Sequence, residues 1–270
     1  MNPDPSIPGP TPARRDRADR VLVERGLFES RARAQAAIEA GLVSVDGKRV
    51  AKPSETISAT AAIEAREAYE WVSRAGLKLE AALEAAGLSV QGAEALDVGA
   101  STGGFTEVLL ARGAARVHAV DVGHGQLHER VRADERVISL EGTDIRSLAP
   151  GTVPPADIIT VDVSFISLQK LLPTLLLHQA AEGHIVVLVK PQFEVGRDKL
   201  SKGGIVRDAG ARAEAAANIA ALLEQFGWRV THRLASPILG GDGNEEFLLV
   251  AARLSTARPV GAQSATARAE

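Results

Sequence analysis

Apolar and polar positions follow two regimes along this chain. From residue 94 onward, short apolar runs at 94–98, 116–121, 137–140, 157–163, 184–190, 228–234 and 247–253 alternate with helix-like stretches. Those stretches are 104–112, about 124–133, 166–181 and 209–226. Runs this short and this apolar suit strands buried on both faces, and the alternation predicts a mainly parallel sheet covered by helices on either side. Only a loop separates the last two strands, so they are expected to pair antiparallel in a sheet of seven. A helix over 73–87 precedes the first strand, with Leu79, Leu83 and Ala86 on one face and Gly87 as its stop.

Residues 17–50 read differently. Ala18, Val21, Leu22 and Leu27 suggest a short helix stopped at Gly26. Ser30 can cap a second helix running through Ala40, with Ala34, Ala37 and Ile38 inward and Gly41 ending it. Residues 42–50 then alternate about Asp46-Gly47, the signature of a tight hairpin. Residues 53–72 are expected to supply strand ends and a linker, with Trp71 packing at the junction of the two parts. The pattern predicts a small α+β unit over 17–72 and an α/β unit over 73–254. The first sixteen residues, with five prolines, and residues 255–270 are expected to be disordered tails.

Composition narrows the function classes. The 270 residues are 45% hydrophobic and 24% charged, enough for a proper core. Without cysteine there is neither a disulfide nor a thiolate nucleophile or metal ligand, and no metal is expected. No apolar run approaches the ~18 residues of a membrane span and the N-terminal stretch lacks a signal-peptide core, so a cytoplasmic protein off the membrane is expected. Net charge is −3, yet residues 14–52 hold ten Lys or Arg against six Asp or Glu. A basic module joined to an acidic remainder hints at nucleic acid, although a solvated charged surface also accounts for so modest an excess.

The chemistry concentrates at strand ends, where ligands of doubly wound sheets bind. The turn over 96–106 carries glycines at 99, 103 and 104, which is not the Gly-x-Gly-x-x-Gly of dinucleotide binders. Its wider Asp-x-Gly form suits a nucleoside with an amino-acid tail and leans towards S-adenosylmethionine. Gly99, Ser101, Thr102, Gly103, Gly104 and Phe105 would form the cradle, with Asp97 near the methionine part. Asp121 ends the second strand, where it could accept hydrogen bonds from a ribose, and Asp144 follows the third, within reach of an adenine amino group. Asp162 and Lys190 end the fourth and fifth strands, and Glu246 opens the last. A lysine closing an apolar strand needs a partner. Either Asp162 and Lys190 form a structural ion pair, or the same pair handles the proton of a substrate hydroxyl. Lys78 has small neighbours, Ala81, Ala82 and Ala85, that leave its ammonium room to approach a ligand. The six histidines are scattered and receive no role.

Two resemblances follow from these residues. The small unit resembles the S4 RNA-binding domain through Arg25-Gly26-Leu27, Ser30-Arg31-Ala32, Ala37-Ile38, Gly41-Leu42-Val43 and Val45-Asp46-Gly47. That resemblance implies a basic face for structured RNA made of Arg25, Arg31, Arg33, Lys48, Arg49 and Lys52, contacts that provide salt-dependent affinity. The blocks at 97–106, 121–127, 162–168 and 190–196 resemble the TlyA (haemolysin A) family over residues ~17–254. These are S4-bearing, FtsJ-like ribosomal RNA 2′-O-methyltransferases with a Rossmann-like class I fold. The resemblance implies S-adenosylmethionine as cofactor, ribosomal RNA and its subunits as partners, and a catalytic tetrad of Lys78, Asp162, Lys190 and Glu246. Lys190 would remove or steer the proton of a cytidine 2′-hydroxyl, oriented by Asp162. Lys78 would stabilise charge developing on the oxygen, and Glu246 would hold one of the lysines. Two positions depart from the family pattern: Asp144 stands where Asn is expected, and Glu70 puts an acid in the linker.

The glycine-flanked basic stretch 194–204 could be a loop that closes over RNA or an ordinary surface loop. A non-catalytic RNA-binding or assembly factor would keep the basic module without needing both lysines and both acids. A membrane-active haemolysin would need an insertion segment, and none is visible.

Overall fold

The computed structural model describes residues 14–253. The chain divides into two compact units, with the boundary between Glu70 and Trp71.

The small unit contains β1 (Arg15–Arg17), α1 (Ala18–Glu24), α2 (Arg31–Glu39), β2 (Val43–Val45), β3 (Lys48–Arg49), β4 (Thr56–Ser58) and β5 (Ile63–Ala65). Both helices pack Ala18, Val21, Leu22, Ala34, Ala37 and Ile38 into one core with Val43, Val50 and Ile57. Ser30 caps α2 by accepting the Arg33 N–H, and Gly41 follows its end at φ +74°. Asp46 and Gly47 both take positive φ, which is what a tight hairpin turn between β2 and β3 requires.

Two expectations fail here. Residues 15–17 are not part of a tail or helix but a strand, paired antiparallel with β4 forty residues on. Leu27 is exposed, and Phe28 is buried in its place. The rest of the expected N-terminal tail, residues 1–13, and the whole of 255–270 lie outside the described residues.

The large unit contains α3 (Gly76–Ala86), β6 (Glu94–Val98), α4 (Gly104–Ala111), β7 (Arg116–Asp121), α5 (Glu129–Arg132), β8 (Val137–Glu141), β9 (Ala156–Val161), α6 (Leu168–Leu175), β10 (Gln179–Val189), α7 (Pro191–Glu194), α8 (Ala209–Gln225), β11 (Arg229–Ala235) and β12 (Phe247–Arg253). Its seven strands run in the order β11-β12-β10-β9-β6-β7-β8, parallel except for β12, which pairs antiparallel with both β10 and β11. Along β10, Ile185, Val187 and Val189 join the core under α6 and α8, while Val186 and Leu188 join the core under α3 and α4. Burial on both faces is why the inner strands β6, β7, β9, β10 and β12 read as apolar runs, while the edge strands β8 and β11 are only partly buried.

Helix extents differ from expectation in three places. Residues 124–128 are not helical, because the Glu141 carboxylate accepts the N–H groups of Gln126 and Leu127 and only Glu129–Arg132 remains as α5. The stretch 166–181 is helical only as α6 and one further 3-10 turn. Gln179 already pairs with Ala156 at the start of β10. Residues 73–75 form a turn ahead of α3. There Trp71 lies over Gly76, so closely that a Cβ at 76 would collide with its ring. Trp71 also donates from Nε1 to Glu80, so it packs on α3 of its own unit.

Candidate active site

The strand order reverses between β6 and β9, so the carboxyl ends of β6, β7 and β9 diverge and leave a crevice. Gly99 takes φ +84° there, and a Cβ on it would collide with the Asp162 carbonyl oxygen; only glycine lets the first turn meet the end of β9. Asp121 braces two turns at once, accepting the Ser101 N–H at 2.8 Å and the Gly123 N–H at 2.7 Å.

Two clefts open at this point. The larger, of about 540 Å³, is lined by Gly99, Asp121, Val122, Asp144, Ile145 and Phe165 among others. The smaller, of about 160 Å³, is lined by Ser73, Thr102, Gly104, Phe105 and Lys190. Gly99, Ser101, Asp162 and Ser164 belong to both. The larger volume is within the range of pockets that hold a nucleoside-sized ligand.

The rim between the clefts carries the charged chemistry. Lys190 Nζ lies 2.6 Å from Asp162 Oδ1 and donates to Ser164 Oγ at 2.9 Å. The carboxylate of Glu194 accepts the Ser167 hydroxyl and the Leu168 N–H, fastening the segment after Asp162 to the helix after Lys190. Phe165 stands on this segment at φ +65°, a conformation rare for an aromatic residue, and is 92% exposed. Its ring meets Phe193 at 5.4 Å between centroids. Lys78 and Glu246 make a second pair at 2.5 Å, with side chains only 7% and 2% exposed.

A scan for known families matches the FtsJ-like methyltransferase model over residues 71–253 and the S4 domain model over residues 16–63. The chain belongs to the FtsJ-like methyltransferase family. It is 46% identical over 240 residues to the 16S/23S rRNA (cytidine-2′-O)-methyltransferase TlyA of Mycobacterium tuberculosis, covering 88% of this chain and 90% of that one. Hemolysin A of Brachyspira hyodysenteriae is 41% identical, covering 86% of this chain and 98% of that one. A solved structure from Streptococcus thermophilus, provisionally named a hemolysin, superposes with a TM-score of 0.70 at 41% identity, covering 88% of each chain. Among the described residues, no helix is long and apolar enough to cross a membrane.

Within this methyltransferase frame, several expected site residues sit elsewhere. Asp97 is fully buried and lines neither cleft. It accepts the hydroxyls of Thr106 at 2.7 Å and Thr160 at 2.8 Å, tying α4 and β9 to β6. Burial pushes its carboxyl up to about 6, against those two hydrogen bonds and with a contribution from the Asp162 charge. Gly103 faces away from both clefts, towards Leu127 and Val131. Asp144 lines the larger cleft, but its carboxylate is engaged by Arg146 at 2.5 Å, which holds it below the usual carboxylate range. Lys78 lines neither cleft; its ammonium is sealed against Glu246 instead of reaching towards a ligand. Ser73, Val122, Ser164 and Phe165 also line the clefts, and nothing local in their sequence marks a wall residue.

The basic module divides as well. Arg33 is buried, bonds Glu67 at 3.1 Å and the Tyr69 carbonyl, and lies over the Tyr69 ring, so it is an internal brace and not a phosphate contact. Arg31 is half exposed but bound at 2.8 Å to Asp19, whose carboxyl is held well below the usual carboxylate range by Arg17 first and by Arg31 and Gln35 after it. Arg25 donates to the Ala61 carbonyl. Lys48, Arg49 and Lys52 are exposed, with the Arg49 guanidinium over Gly41.

Proposed function

We propose that this chain transfers the methyl group of S-adenosylmethionine to the 2′-hydroxyl of a cytidine in ribosomal RNA. The observation that carries the reading is the Lys190–Asp162 pair, in which Asp162 lines both clefts, one sized for a nucleoside and one small and polar, and Lys190 lines the smaller. The site fits the cofactor. Asp121 has lone pairs left for a ribose diol after bracing its two turns, Val122 and Ile145 offer apolar faces to a base, and Ser101, Thr102 and Gly104 offer polar groups to an amino-acid tail. When bound, S-adenosylmethionine supplies an electrophilic methyl on a sulfonium centre.

The protein's part is positioning and proton handling. Lys190 orients the attacking hydroxyl, and the Lys190–Asp162 pair receives the proton released as the carbon–oxygen bond forms. Asp162 fixes the Lys190 amine and places negative charge beside the cationic ligand. Phe165 offers an open aromatic face for stacking an unpaired base, a common mode of RNA recognition. Lys78 and Glu246 complete the tetrad as a buried pair joining α3 to the start of β12. Lys48, Arg49 and Lys52 supply salt-dependent attraction to phosphates. A ribosomal substrate places the work in the cytoplasm.

The direct test is to incubate the full chain with labelled S-adenosylmethionine and ribosomal subunits lacking the modification. Label is expected in 2′-O-methylcytidine within nuclease-resistant dinucleotides. Tight RNA binding with no transfer to any subunit would leave a binding factor and overturn the proposal.

A further inference from the structure

We propose that Asn244 is a positioning residue that locks the basic segment 197–207 to the loop carrying Glu246, making that segment a fixed ledge for RNA phosphates and not a hinged lid. The inference rests on the reading of the chain as an RNA methyltransferase. Asn244 is 1% exposed, and both ends of its amide are in use. Oδ1 accepts the Val206 N–H at 2.9 Å, while Nδ2 donates to the Gly204 carbonyl at 3.1 Å and to Asp242 at 3.4 Å. A buried amide that reads a donor and an acceptor on another loop is a cross-link whose loss leaves backbone groups unpaired.

The next two residues extend the clasp in opposite directions. Glu245 pairs at 3.1 Å with Arg212, which itself donates to the carbonyls of Val206 and Arg207. Glu246 turns to Lys78. Three successive side chains thus join the segment after β10 to the buried tetrad pair. The segment is also closed on itself, since the Ser201 N–H and hydroxyl both donate to the Ile205 carbonyl across a tip at Lys202 and Gly203. Arg197, Lys202 and Arg207 are exposed and have no ion-pair partner among the described residues, Lys199 pairs with Glu214, and Asp198 is the one acid within the segment. Cations held in place by a preorganised backbone bind phosphates without first ordering a loop.

The test uses the full chain and unmodified ribosomal subunits. Asn244→Ala is expected to leave the S-adenosylmethionine dissociation constant within about twofold while raising KM for subunits about tenfold or more. The triple variant R197A/K202A/R207A should raise KM similarly and flatten the salt dependence of subunit binding. If Asn244 acts by placing these cations, adding Asn244→Ala to the triple variant changes KM by no more than about twofold. Asn244→Asp keeps the acceptor for Val206 and loses the donor to Gly204, so it carries the same comparison should the alanine variant not fold. A wild-type KM in the alanine or aspartate variant, or effects of clasp and cations that multiply as independent terms, would overturn the inference. Subunit binding is measured apart from transfer, so a wild-type chain that binds but transfers nothing refutes the proposed function instead.

Discussion

Two lysine–carboxylate pairs of the large unit, Lys190 with Asp162 and Lys78 with Glu246, are alike in chemistry and differ in setting. Asp162 lines both clefts and Lys190 the smaller one, with side chains 14% and 11% exposed, and Lys190 also donates to the Ser164 hydroxyl. Lys78 and Glu246 are sealed, line neither cleft and hold α3 against the start of β12. A pair on a cleft wall is placed where a ligand can meet it. A sealed pair has replaced its hydration by its partner, so neither member can change without stranding the other. Membership of one tetrad therefore does not mean one kind of role.

The comparison can be broken by substitution. Lys190→Ala is expected to slow single-turnover methyl transfer at least about 10³-fold, some 4 kcal/mol in the barrier, with S-adenosylmethionine binding nearly unchanged. Retained turnover would remove Lys190 from the chemistry. Lys78→Met should instead lower folding stability by about 3–5 kcal/mol, because the Glu246 carboxylate is left buried and alone. The double variant K78M/E246L should regain most of that stability and still not methylate. Equal instability of single and double variants would show that the pair is not the source of the loss.

A third acid sharpens the contrast by having no cationic partner among the described residues. Asp97 is buried with two threonine hydroxyls, and its carboxyl is pushed up from 3.8 to about 6. A folded-state value above the unfolded one means that folding is not penalised below about pH 4 and is penalised fully above about pH 6. Asp97→Asn should therefore gain up to roughly 3 kcal/mol over wild type at about pH 8 and show no gain at about pH 4, measured by denaturant unfolding. A gain independent of pH would point to packing instead. The smallest effect is expected in the basic module. Exchanging Lys48, Arg49 and Lys52 for alanine should reduce the logarithmic salt slope of subunit binding by about 2–3 without changing stability. Arg33→Ala should do the reverse, since Arg33 is an internal brace.

Much of the fold was legible because the relevant signals are local. Short apolar runs mark all seven strands of the large sheet, the inner ones buried on both faces and the edge strands β8 and β11 only in part, and Ser30, Asp46-Gly47 and Gly41 mark the caps and turn of the small unit through their own backbone needs. Pairings that join distant residues were not legible. Nothing within residues 15–17 announces a strand completed by Thr56–Ser58, and nothing near Gln126 says that Glu141 will take its N–H. The site divides in the same way. Acids and lysines at strand ends could be picked out individually, whereas the partners of Asp97, Asp144, Arg31 and Arg33 come from elsewhere in the fold, or from a neighbour whose pairing the pattern does not state.

The sequence by itself determined the two-unit layout, the strand–helix alternation, the glycine turn that excludes a dinucleotide fingerprint and the family. These rest on periodicity, backbone preference and motif, which are properties of short stretches. Only the tertiary structure decided which charged groups meet a cleft and which meet each other. That outcome depends on desolvation, which is set by what the folded chain packs over each group. It sealed Lys78 with Glu246, buried Asp97 between two threonines, turned Arg33 inward and left Lys190, Asp162 and Phe165 open at the switch point of the sheet.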